Sequence, residues 1–417
     1  MVYFYVNYIM SSLIKSIFSK NFINLSLNQG VNIVATLIYT PFLFQNLGDE
    51  NFGLIHLALS AIIILTILVS YGYNLNGPIK IAQSKNVNEE NLVIIDILNL
   101  RLSASLIVLI LSIPFIIFFT DQIFRQILLF SLIILFTEAL NPLFYLQGKN
   151  KILPQSILNF FSKTLYVALI ILFISEYEDA YLANFFYGFS ITLLFLLFWI
   201  KYFTRDNTIF LVLSFKKIIF NLKQNFQFFL SSTSTHFTLN SALIVLSFFV
   251  TNKELGRFTL AYKVAFLLRM LPVFFIQSAL QQASKFNLKS KDAYKKYIFK
   301  YFKLGLITTI LIAIVTFIFS ETIIYIFSRE KIEYSSKILS ILGFIPFLAM
   351  LNFKNVIYLL VNDLKSILNK ATFVTLIFML FSSFILSYLY SGLGLAYALV
   401  LTELFSFIIH YYFINKK

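Results

Sequence analysis

Residues Gly53–Asn76 read GLIHLALSAIIILTILVSYGYNLN, 24 consecutive positions without one Asp, Glu, Lys or Arg. Coiled as an α-helix at 1.5 Å per residue, the run extends about 36 Å, enough to cross the roughly 30 Å hydrocarbon core of a bilayer. Lipid offers no water to an unpaired amide, so a crossing segment of this kind must be helical. Similar runs fall near 22–46, 98–119, 123–146, 155–175, 181–201, 224–250, 256–281, 301–320, 335–361, 369–390 and 393–413, which with 53–76 makes twelve. Composition agrees: 59% of the 417 residues are hydrophobic and 12% are charged, against about 25% charged in soluble domains. The expected fold is all-α and integral to the membrane, with twelve transmembrane helices.

A net charge of +15 would point to nucleic acid in a soluble protein, but here the placement of the basic residues reports topology. With the N-terminus set in the cytoplasm, the segments 1–21, 77–101, 147–154, 201–223, 282–303, 362–370 and 414–417 carry 23 of the 33 Lys and Arg. The opposite face holds six, Arg125, Lys253, Arg257, Arg329, Lys331 and Lys337, and four fall inside helices. This is the positive-inside bias, and it places both termini in the cytoplasm. Nucleic acid is not an expected partner; membrane lipids are. The first lysine, Lys15, follows an apolar run instead of preceding it, so 1–21 is expected as a cytoplasmic interfacial segment and not a cleaved signal.

Several chemistries are closed. Cysteine is absent, and His56, His236 and His410 lie far apart with no second His or carboxylate at metal-ligand spacing, so no metal site is expected. Gly148-Lys149 has neither the spaced upstream glycine nor the following Ser or Thr of a phosphate loop. The outer loops are short and no Asp-X-Asp occurs. An enzyme is therefore not expected, and nothing calls for a cofactor.

The two halves echo each other. Phe52-Gly53 and Leu255-Gly256 stand 203 positions apart, as do Leu57-Ala58 and Leu260-Ala261. Two six-helix lobes in the same orientation imply a pseudo-twofold axis along the membrane normal, with a substrate path between them. The expected division is 1–21 interfacial, 22–201 N-lobe, 202–223 cytoplasmic linker and 224–417 C-lobe.

Asn28-Gln29, Asn32, Pro41-Phe42-Leu43, Leu47-Gly48-Asp49-Glu50-Asn51-Phe52-Gly53 and Tyr71-Gly72-Tyr73 form one set of motifs. Phe144-Tyr145-Leu146-Gln147-Gly148-Lys149, then Leu255-Gly256-Arg257-Phe258 with Ala261-Tyr262-Lys263-Val264 and Pro272, form another. Over nearly the whole chain these resemble the bacterial O-antigen and capsular repeat-unit flippases of the multidrug, oligosaccharidyl-lipid and polysaccharide exporter superfamily. That resemblance implies movement of an undecaprenyl-pyrophosphate-linked oligosaccharide of lipopolysaccharide or capsule synthesis across the bacterial cytoplasmic (inner) membrane. It further implies a coupling ion, H+ or Na+, and a polysaccharide polymerase as a partner.

Ionisable residues inside the expected spans are Lys163, Lys263, Arg269 and Lys354, with Glu138 and Glu403. Each cation costs about 2.5–3.5 kcal/mol at a helix centre, so each needs water or a partner. Four cations against two acids leave a cationic lumen, suited to a diphosphate. Two readings stand for each cation, a substrate contact or a tie to a neighbouring helix. Lys263 and Arg269 lie six residues apart, about 120° round an ideal helix, with Pro272 beyond them as a candidate kink. Lys163 and Lys354 have Glu138 and Glu403 as potential partners. Glu138, Glu403 and His236 are the candidates for ion coupling, and Tyr166 and Tyr262 for stacking on sugar. The competing functions are a multidrug exporter of the same superfamily, which favours buried acids, and a membrane glycosyltransferase or polymerase, for which no loop is long enough.

Overall fold

The computed structural model describes residues 20–206 and 215–416. Most of residues 1–21, and 207–214 of the expected linker, lie outside the described residues. Helices follow in the order α1 (Lys20–Ser70), α2 (Tyr73–Gln83), α3 (Val87–Phe119), α4 (Gln122–Ser131), α5 (Ile133–Ala139), α6 (Leu143–Gly148), α7 (Ile152–Phe173) and α8 (Ala180–Asp206). Then come α9 (Phe215–Asn240), α10 (Ala242–Ser247), α11 (Asn252–Lys289), α12 (Lys291–Ile318), α13 (Ser320–Ser328), α14 (Glu333–Leu342), α15 (Ile345–Leu351), α16 (Phe353–Val361) and α17 (Lys365–Asn415). No strand occurs among the described residues. Nine helical stretches there are long and apolar enough to cross a membrane.

Two of these nine contain a break. Inside the 51 residues of α1, Gly48 has φ 71° and ψ 170°, a conformation that glycine adopts without a Cβ clash. Inside the 51 residues of α17, Tyr390 (φ −135°) and Ser391 (φ 52°) leave helical geometry. The expected seventh span, 224–250, appears as α9 and α10 but is not among the nine. A polar run from Ser231 to His236 explains this, since serines, threonines and a histidine replace the aliphatic residues found elsewhere.

Two further stretches are each divided into three short helices: α4, α5 and α6 over 122–148, and α14, α15 and α16 over 333–361. Their first residues, Gln122 and Glu333, stand 211 positions apart. A broken helix frees backbone carbonyls, which at membrane depth must find partners in the protein. At the first break the Leu140 carbonyl accepts from Trp199 Nε1 at 2.7 Å, and the Asn141 carbonyl from Arg101 Nη1 at 3.3 Å. At the second, Asn352 receives Asn355 Nδ2 on its side-chain oxygen at 3.1 Å and approaches His410 Nδ1 at 3.3 Å.

The described residues divide into two compact units, those within 31–259 and those of 260–416 with 20–30. In the first, the echoed glycines meet. A Cβ on Gly53 would lie 2.7 Å from the Gly256 amide nitrogen, and one on Gly256 would lie 1.7 Å from the Asp49 carbonyl oxygen. Arg257 Nε donates to Asp49 Oδ2 at 2.7 Å beside this backbone contact. The core of this unit gathers around Trp199, Phe144 and Tyr73. That of the second centres on Met350, Phe353 and Tyr301.

Candidate functional site

In the first unit, α1 and α7 each carry a polar stripe at helical spacing, Asn32, Thr36 and Tyr39 on one and Asn159, Lys163 and Tyr166 on the other. The stripes meet, with Asn159 Nδ2 donating to Asn32 Oδ1 at 3.2 Å. Lys163 Nζ lies 4.1 Å from the centre of the Tyr187 ring on α8 and 5.9 Å from that of Tyr166. Tyr39 stands edge-on to Tyr166 at 5.2 Å, and Tyr166 to Tyr187 at 5.4 Å, so three tyrosines gather round one ammonium. Among the described residues no carboxylate pairs with Lys163. Each ring face supplies about 0.5–2 kcal/mol to such a cation, against a cost of about 2.5–3.5 kcal/mol at membrane depth.

A second cation in this unit is fully satisfied in charge. Arg101 of α3 has no exposed surface and donates from Nη2 to Asn74 Oδ1 at 2.8 Å. Asn74 Nδ2 donates in turn to Glu138 Oε1 at 2.7 Å, so one amide bridges a guanidinium and a carboxylate. Arg101 also lies over the Phe144 ring at 5.0 Å. Its Nε has no hydrogen-bond partner among the described residues.

In the second unit, Arg269 of α11 pairs directly with Glu403 of α17, Nε and Nη2 each 2.7 Å from the same Oε1. Pro272, inside the continuous helix Asn252–Lys289, has no amide proton to donate to the carbonyl of Leu268, the residue before Arg269. Lys263 is half-buried on the same helix. Tyr262 packs with Phe266, ring centres 6.3 Å apart.

Lys354 of α16 stands elsewhere in that unit. It is exposed, with its ammonium 4.0 Å from the centre of the Phe302 ring and 5.2 Å from that of Phe299. His236 is half-buried on α9, and its carbonyl accepts from Asn240 Nδ2 at 2.9 Å.

Of the residues singled out by sequence, Arg269 and Glu403 come together; neither Lys163 nor Lys354 pairs with either glutamate. Arg101, counted with the cytoplasmic segment 77–101 because the apolar run begins only at Leu98, lies in a helix that starts at Val87, about four turns before it, and ends 18 residues after it at Phe119. Its complete burial was not expected from sequence. Asn74, Tyr39 and Tyr187 also escaped notice, because neutral residues of common type carry no signal until their neighbours are known.

Together these features define a multi-pass, all-helical membrane protein with buried charges. The structure is similar to the lipid II flippase MurJ in an inward closed conformation, with TM-score 0.74 and 14% identity, covering 94% of this chain and 87% of that one. It is also similar to an inward-facing multidrug resistance MATE family transporter of the MOP superfamily, with TM-score 0.69 and 13% identity, covering 95% and 97%.

Residues 18–284 match the family described as polysaccharide biosynthesis protein, and the chain belongs to it. A Shigella dysenteriae protein named "Putative O-antigen transporter" is 26% identical over 59% of this chain, and an Escherichia coli K12 protein of the same name 22% identical over 40%. The matches span 62% and 40% of those relatives' own lengths.

Proposed function

We propose that this protein carries an undecaprenyl-diphosphate-linked oligosaccharide from the cytoplasmic to the outer leaflet of a bacterial inner membrane by alternating access. The observation that supports this most is Lys163, an ammonium at membrane depth surrounded by tyrosines and not by a carboxylate. A diphosphate completes its charge, and aromatic faces suit a sugar ring.

Arg269 is the exchangeable contact. A carboxylate and a diphosphate compete for one guanidinium, so protonation of Glu403 or binding of a cation to it releases Arg269 to the substrate. Coupling to H+ or Na+ is assigned to this pair, with Lys263 on the same helix as a further headgroup contact. Glu138, bridged to Arg101 through Asn74, is assigned to scaffold and not to coupling, and His236 is given no coupling role.

Twelve spans in two lobes, with both termini cytoplasmic, fit this reading. Helices of 51 residues extend about 76 Å, more than two hydrocarbon thicknesses, so α1 and α17 are each taken as a pair of spans. That makes eleven of the nine stretches, and the polar pair α9 and α10 supplies the twelfth. The broken stretches 122–148 and 333–361 at matching places support two repeats.

A multidrug exporter is the second reading, favoured by the likeness in fold to the MATE transporter. The test is purified protein in proteoliposomes loaded with labelled undecaprenyl-diphosphate-linked oligosaccharide. Protein-dependent transfer of label between leaflets supports the proposal. No transfer, together with raised cellular resistance to organic cations, overturns it in favour of drug export.

A further inference from the structure

A pocket of about 550 Å³ opens in the second unit among the first turns of α12, the first half of α16 and the last turn of α17. Lys295, Lys296 and Lys354 contribute to its lining, together with Ile298, Phe299 and Tyr411, and among the described residues no Asp or Glu does. Three positive charges therefore share a largely apolar pocket without a carboxylate in its wall. Lys295 and Lys296 belong to the basic segment 282–303, which the positive-inside bias places on the cytoplasmic side. Lys354 is set deeper, seven residues before the end of α16, and lies over the Phe302 and Phe299 rings.

We infer that this pocket binds an anionic phospholipid of the cytoplasmic leaflet. Its phosphate lies among the three ammonium groups and its acyl chain runs along Phe299, which is 58% exposed, and Tyr411, 57% exposed. Charge complementarity selects the occupant: basic pockets between helices on the cytoplasmic side attract anionic headgroups, while long lysine stems lie along apolar walls with their charge at the interface. A zwitterionic lipid offers the same chains but no net charge to oppose three lysines. Lys354 accordingly serves at a lipid site on one unit and is not counted among the headgroup contacts of transport.

The test uses the full chain purified in detergent, with thermal unfolding and native mass spectrometry read against added phosphatidylglycerol and phosphatidylcholine of identical acyl chains. Phosphatidylglycerol is expected to raise the unfolding temperature and remain bound, with phosphatidylcholine doing neither. The triple variant Lys295→Gln, Lys296→Gln, Lys354→Gln should bind phosphatidylglycerol at least tenfold more weakly, and the corresponding triple Arg variant should bind it as the unaltered chain does. Equal response to both lipids, or undiminished binding by a folded Gln variant, overturns the inference. So does a response to geranylgeranyl diphosphate with none to phosphatidylglycerol, which would give the pocket to substrate.

Discussion

Arg269 and Lys163 are both cations inside an apolar protein, and they are neutralised in opposite ways. Arg269, with its side chain 31% exposed, holds Glu403, 15% exposed, in a direct pair at 2.7 Å. Lys163 has tyrosine faces about it, the nearest centred 4.1 Å away, and no carboxylate among the described residues. A paired guanidinium adds to stability and gives up its partner only in exchange for another anion. A caged ammonium adds little to stability and, in the proposed function, is the group that takes the ligand. Arg101 marks the far end of this range, wholly enclosed and joined to Glu138 through one shared amide.

The sharpest way to break this ordering is Arg101→Leu, which removes a buried cation and strands Glu138. Thermal unfolding in detergent should register a loss of about 3–5 kcal/mol, the range for breaking a buried charge network from one side. A loss below about 1 kcal/mol would mean that Arg101 is no structural tie. Arg269→Gln comes next, at about 1–3 kcal/mol, because partial exposure lets water take over some of the pairing. Adding Glu403→Gln to it should recover part of that loss, since the stranded carboxylate is gone. A double variant no more stable than the single one would show that the two side chains are not energetically linked. Lys163→Gln should change stability least, by about 1 kcal/mol or less, because only cation–ring contacts are given up.

Much of the architecture was legible because the bilayer imposes a simple rule. Apolar runs marked helices long and apolar enough to cross, nine stretches among the described residues, whereas the 203-residue offset of Gly53 and Gly256 was read as a repeat and gave no sign that their backbones touch, where any side chain would overlap Asp49 or Gly256. What hydropathy could not register is where a helix breaks within an apolar run. Hydropathy averages over Asn141-Pro142 in 122–148 and over Gly343 and Pro346 in 333–361, the breaker residues that stand at some of these breaks, and the first break is further held by the distant donors Trp199 and Arg101. The site was half legible for the same reason. Lys163 stood out by its cost in lipid, and Tyr166, three residues on, shares its face. Tyr187 and Tyr39 are brought there only by the packing of α8 and α1 against α7. Arg101 was not singled out because it stands at the edge of the apolar run, while its helix starts about three turns before that run and packing alone encloses its side chain.

The most direct measurement is polysaccharide export by the host strain carrying Lys163→Gln or Lys163→Arg in place of the unaltered chain, with the amount of protein in the membrane recorded alongside. Normal membrane levels with surface polysaccharide abolished in the Gln strain and largely kept in the Arg strain is the predicted result. Full export by the Gln strain would contradict the claim that the tyrosine-caged ammonium receives the anionic headgroup.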